Sequence, residues 1–184
     1  MPLSWNEIKT RAQTFSQEWA NEAREEAEAK SFWDDFFQVF GISRRRVATF
    51  EKLVKKLDNK PGFIDLLWKG VILVEHKSRG KNLDKAVQQA KDYLVGLTEA
   101  ELPKYILVSN FQSFRLYDLE NDSHTEFELP ELVQHIHLFG FMAGYEKRIY
   151  KDEDPVNIQA AELMSQLHDR LEEVGYSGHD LEVY

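Results

Sequence analysis

Two short apolar runs, Phe63–Leu67 and Val71–His76, flank the connection Trp68-Lys69-Gly70. Both runs are partly β-branched, and the glycine sits where a tight turn needs one, so the pattern predicts a β-hairpin. Upstream the period lengthens to that of a helix. Ile8, Ala12, Phe15, Trp19 and Ala23 fall at helical spacing after Ser4, with Glu7 completing a capping-box pattern, and predict a helix running to about Lys30. Phe32, Trp33, Phe36, Phe37 and Phe40 form the stripe of a second helix, stopped by Gly41. Val47–Phe50 reads as an extended segment leading into a short helix that ends at Leu57, and the DNKPG turn follows.

Beyond the hairpin, Leu83–Leu97 carries a one-sided apolar stripe and predicts a crossover helix. Lys104–Asn110 and Phe111–Asp118 then read as strands. After a turn at Asn121–Ser123, His124–Leu129 reads as an edge strand and Pro130–Gly140 as helical. Asp152–Pro155 marks a break, and Asn157–Val174 predicts a last helix stopped by Gly175. Helices, strands, a crossover helix and further strands, in that order, predict an α/β fold with a central sheet flanked by helices. The expected organisation is a domain over 1–150 and the start of a helical connector over 151–184.

The 184 residues contain no cysteine, which removes disulfides and thiolate metal sites and fits a reducing cytosol. No apolar run approaches membrane-spanning length, and the first residues lack a signal-peptide core. A soluble, cytoplasmic protein is the expectation. The net charge of −9 is uneven: residues 1–43 sum to −4, 44–91 to +8 and 92–184 to −13. The basic stretch brackets the hairpin, so a polyanion would be drawn there while the acidic remainder keeps the chain soluble.

That placement gives three residues of the hairpin a chemical meaning. With the turn near Gly70, Asp65 falls opposite Glu75. Strand alternation puts Glu75 and Lys77 on one face and turns His76 to the other. Facing carboxylates repel unless a divalent cation lies between them. Both strands are nearly continuously apolar, as in strands covered on both faces, where a charge needs a partner or a metal. A lysine beside such a cation would orient or activate water. The pattern therefore outlines a metal-dependent phosphodiesterase, although Asp-x9-Glu-x-Lys alone is a weak signal and a solvated salt bridge is the plainer reading of Glu75 and Lys77. Gln89 and Tyr93, at i and i+4, share a face of the following helix. No HExxH, Gly-rich phosphate loop or Gly-x-Ser-x-Gly occurs.

The block GFIDLLWKGVILVEHKSRGKNLDKAVQQAKDYL resembles the catalytic segment of a PD-(D/E)xK nuclease. Together with LSWNEI, FFQVFGI, RVATFE, LPKYILVSNFQSFRLYDL, FGFMAGYE and the tail from Asp154, it resembles the N-terminal endonuclease domain of MmeI-like (type IIL) restriction–modification enzymes. Ile64, not proline, precedes Asp65.

The resemblance implies a restriction-endonuclease-like fold in a longer polypeptide. A connector, an S-adenosylmethionine-dependent DNA adenine methyltransferase domain and a target-recognition domain would follow in a prokaryotic protein. It implies Asp65, Glu75 and Lys77 as catalytic residues. Mg²⁺, replaceable by Mn²⁺, would be held by Asp65, Glu75, the His76 carbonyl and an upstream carboxylate mapping to Glu25. It further implies double-stranded DNA as partner, contacted by Arg79, Lys81, Lys85, Gln89 and Tyr93, and a second protomer for double-strand cleavage. Two alternatives stay open: a nuclease domain of another restriction system, and a catalytically silent DNA-binding or connector module.

Overall fold

A computed structural model describes residues 3–21, 25–56 and 60–145, and for 25–27 the backbone alone. The connector helix over 157–174, the break before it, Leu57 and the Glu25 side chain lie outside the described residues.

The chain starts with α1 (Trp5–Glu18), whose N-terminus has the expected capping box. Ser4 Oγ accepts from the Glu7 amide at 3.3 Å, and Glu7 Oε2 accepts from the Ser4 amide at 2.9 Å. That exchange satisfies two donors a helix start otherwise leaves open. The second helix, α2 (Glu25–Val39), already includes Lys30, so the single helix expected to reach that residue is in fact two. Tertiary packing overrides local propensity here: Trp19 is buried at the end of α1 and its indole donates to Asp35 of α2. A single helical turn, α3 (Arg44–Val47), precedes β1 (Thr49–Lys55). Here the order is the reverse of the expected strand followed by helix.

The hairpin is β2 (Pro61–Trp68) and β3 (Ile72–His76), turning through Gly70 at φ +72°. A crossover helix, α4 (Leu83–Leu94), leads to β4 (Tyr105–Ser109), followed by β5 (Ser113–Asp118) and β6 (Ser123–Glu128). Instead of one helix over 130–140, 3-10 turns flank a single α-turn, α5 (Leu132–His135). The six strands form one mixed sheet in sequence order, with β3 and β4 parallel and all other neighbours antiparallel. The parallel pair requires a crossover connection, which α4 provides.

Alternate residues of β3 and β4 feed two cores. Ile72, Val74 and Leu107 face α1 and α2 in a layer rich in rings, among them Phe32, Trp33, Phe36, Phe111 and Phe114. Leu73, Ile106 and Val108 face α4 in a smaller, mainly aliphatic layer with Leu83, Ala86, Ala90 and Tyr93. On β2 the alternation slips once. Ile64 and Leu67, three apart, both pack on the α4 side, while Leu66 packs on the other. The slip falls at Asp65. Across from it on β1, between the pairs Phe50↔Leu66 and Lys52↔Ile64, Glu51 has a left-handed backbone at φ +55°. For a residue with a Cβ this is an uncommon conformation, typical of bulges and functional sites.

Candidate active site

The pairs Trp68↔Ile72, Leu67↔Leu73 and Leu66↔Val74 place Asp65 across from Glu75 one step further along. The two strands part there, and Asp65 Oδ2 instead accepts from the His76 amide at 2.7 Å. Glu75 is fully buried, its Oε1 2.7 Å from Lys77 Nζ, and Lys77 retains a quarter of its side-chain surface in solvent. The Lys77 amide donates to the Ser109 carbonyl of β4 at 2.8 Å, so the parallel neighbour fixes the direction of the lysine. A carboxylate at zero exposure is unfavourable without a charge partner, and the ammonium supplies one.

Tyr93 projects from α4 to the same side. Its phenol accepts from Gln89 Nε2 at 2.6 Å. Burial is the main cause holding its pKa above the ordinary phenol value, and the carboxylates of Glu75 and Asp65 add to it. Asp65, Glu75, Lys77, Gln89 and Tyr93 therefore form one neighbourhood. Arg79 and Lys81 lie on the loop that follows, and Lys85 is exposed in the first turn of α4. That loop is held by Asn110, whose Nδ2 donates to the Lys81 carbonyl at 2.9 Å while its Oδ1 accepts from the amides of Gln112 and Ser113. Sequence reasoning gave Asn110 no role; its signal is a polar residue ending a buried strand.

His76 points to the opposite face, as alternation requires. Its ring sits among Phe111 at 4.3 Å, Phe32 at 5.4 Å and Trp33 at 5.6 Å between centroids. Burial, with the Lys77 charge adding to it, holds its pKa down at about 3, so the imidazole is neutral at working pH.

The donors fit a hard cation in kind: two carboxylates at the end of a hairpin, one of them buried, with backbone oxygen nearby. Mg²⁺ is commonly held by one or two carboxylates with water completing the shell. Among the described residues no group of three or more His, Asp or Glu converges as a metal cage. No helix among them is long and apolar enough to cross a membrane.

The sheet, its crossover helix and the buried Glu75–Lys77 pair define an α/β protein with a carboxylate–lysine site where hairpin and parallel strand meet. Residues 10–174 match the family described as MmeI, N-terminal domain, and the chain belongs to that family. It is 24% identical over 142 residues to DNA methyltransferase A of Bacillus subtilis (strain 168), covering 76% of this chain and 15% of that protein. Among solved structures it is similar to the cryo-EM structure of a DrdV–DNA complex, with a TM-score of 0.51 and 12% identity over 78% of this chain and 14% of that one. That likeness speaks to the fold. The chain thus spans about a seventh of the proteins it matches.

Proposed function

We propose that this chain is the DNA-cleaving domain of a larger type IIL restriction–modification protein, a PD-(D/E)xK endonuclease that works with Mg²⁺. The observation that carries the proposal is Glu75, fully buried, 2.7 Å from Lys77 and one strand away from Asp65. Family membership and the likeness to a DNA-bound structure support it.

In this reading Asp65 and Glu75, with the His76 carbonyl, hold the cation. When bound, Mg²⁺ would neutralise charge building on the phosphate and acidify a water. The His76 amide holds one oxygen of Asp65 and so sets the orientation of its carboxylate. Lys77, already aimed by Ser109 and tied to Glu75, donates to the attacking water and to the scissile phosphate. Attack in line with the leaving 3′ oxygen yields 5′-phosphate and 3′-hydroxyl ends. Arg79, Lys81 and Lys85 bind backbone phosphates without reading sequence, so binding falls with salt. Sequence choice belongs to a target-recognition domain beyond this chain, which follows an S-adenosylmethionine-dependent methyltransferase domain. Two protomers cut the two strands.

The purified chain should bind Mg²⁺ or Mn²⁺ by calorimetry and nick supercoiled plasmid in either. Asp65→Ala and Lys77→Ala should each abolish nicking, and Asp65→Ala should also remove the calorimetric signal. A wild-type chain that takes up neither cation with DNA present overturns the proposal.

A further inference from the structure

β1 and β2 run on past the point where β2 leaves β3. The β2–β3 pairing ends at Leu66↔Val74, whereas β1 and β2 stay paired through Lys52↔Ile64, Leu53↔Phe63, Val54↔Gly62 and Lys55↔Pro61. Asp65 stands at the fork, so a two-stranded arm extends from the candidate active site. One face of the arm is closed: Val54, Gly62 and Ile64 are buried on the α4 side. A Cβ at Gly62 would lie 2.6 Å from Tyr93 Cε1, and one at Gly96, just past α4, would collide with the Lys55 carbonyl. The glycines let backbone and helix approach that closely, which fixes the arm against α4.

The opposite face is open. Leu53 and Phe63, directly across from each other, are 58% and 56% exposed, and they are two of the four exposed large apolar side chains among the described residues. A lone apolar side chain at the surface is ordinary, but a cross-strand pair beside a sheet edge is an adhesive one. Cations surround it. Lys55 follows Leu53 on the same exposed face, and Lys56 Nζ lies 5.3 Å over the Tyr93 ring. From Lys52 to Ile64 the sequence carries four lysines and a single acid, Asp58. An apolar centre ringed by lysines complements a polyanion that also offers apolar sugar surface. A second copy docking arm to arm would instead set lysine against lysine.

We propose that this arm docks on duplex DNA beside the phosphate held at Asp65, with Leu53 and Phe63 pressed against the sugars of the minor groove and Lys55 and Lys56 on flanking phosphates. Phe63 is two residues from Asp65, about 7 Å along a strand that rises roughly 3.3 Å per residue. That reach matches a minor groove about 6 Å wide. Phenylalanine and leucine are side chains that proteins press into this groove. The proposal rests on the DNA-cleaving reading of the neighbouring site and adds the surface that would seat the duplex there; docking itself needs no metal.

The test measures binding of a labelled duplex to the full chain by fluorescence anisotropy, with EDTA present and salt varied. Replacing the apolar pair together, Leu53→Ser with Phe63→Ser, should weaken binding about tenfold and leave the salt slope unchanged. Replacing Lys55→Gln with Lys56→Gln should lower the slope of log affinity against log salt by about 2. Both pairs are exposed or half-exposed, so thermal unfolding of the variants should match the wild type. The chain has no cysteine, so a single one can carry an environment-sensitive dye. A dye on Phe63→Cys should respond to added duplex, and one on Lys9→Cys of α1 should not. Wild-type chain that binds no duplex at low salt, or a Ser pair that binds as tightly as wild type, overturns the proposal. So does a DNA-free dimer in sedimentation that the Ser pair dissociates, which would assign the patch to a second copy. Because EDTA removes the metal, failure here leaves metal uptake and nicking to decide the cleavage proposal, and loss of nicking leaves docking standing.

Discussion

Glu75 and His76 are adjacent on one strand and live in opposite worlds. Glu75 points to the thinner layer under α4 and is met by a lysine that reaches solvent. His76 enters the thicker layer under α1 and α2, loses its charge and is met by aromatic rings. One residue of pleat separates a charged environment from an apolar one. The difference is one of packing: a ring-packed floor lies on one side of the strand, and on the other a thinner layer that seats a carboxylate–lysine pair.

Removing the floor should give the largest effect. Phe32 contacts Phe15, Trp19, Trp33, Phe111, Phe114 and His76, so Phe32→Ala should cost about 3–5 kcal/mol in chemical denaturation. A loss under 1 kcal/mol would mean the ring layer is not a packed floor.

Next is the charged side. Lys77→Ala should destabilise by about 3 kcal/mol, because it strips a buried carboxylate of its nearest cation. Adding Glu75→Gln should restore part of that, and a double variant no more stable than the single one would contradict the pairing.

A smaller effect separates the two faces by pH. The folded His76 pKa of about 3 lies below its unfolded value near 6.5. The unfolded chain therefore binds the extra proton, and the histidine's contribution to stability is lost as pH falls below about 6.5. Between pH 7 and pH 5 the loss should be about 2 kcal/mol relative to His76→Leu measured over the same range. Parallel pH profiles would show that the imidazole is not held neutral.

The smallest is Asn110→Ala, which releases the Lys81 carbonyl and two turn amides. It should cost about 1–2 kcal/mol and speed amide exchange in residues 78–82, leaving the ring layer unaffected.

The hairpin was legible because its signals are local: a turn glycine, two apolar runs, and alternation that fixes which side chains share a face. The crossover helix was legible for the same reason. The end of α1 was not, since ANEAR is helix-favouring in itself and the turn is imposed by packing of Trp19 against α2. Only the first residues of β1 were read as extended, because an edge strand buries little: of its seven residues only Val54 is fully covered, and KLVKKL alone reads as helical. The site reads similarly. Asp65, Glu75 and Lys77 stand out by their place on a hairpin of nearly continuous apolar strands, since their spacing alone is a weak signal. Glu51 reaches its position through the fold alone, and Asn110 shows in the sequence only as a polar residue ending a buried strand.

Among the described residues β1 is an edge of the sheet, and an exposed edge invites another chain to add a strand to it. Glu51, at φ +55°, turns the backbone out of the pleat midway along that edge. A foreign strand could not follow the ladder past it in register, and lysines at 52 and 55 stand beyond the break. The kink opposite Asp65 therefore also acts as a guard against edge-to-edge aggregation.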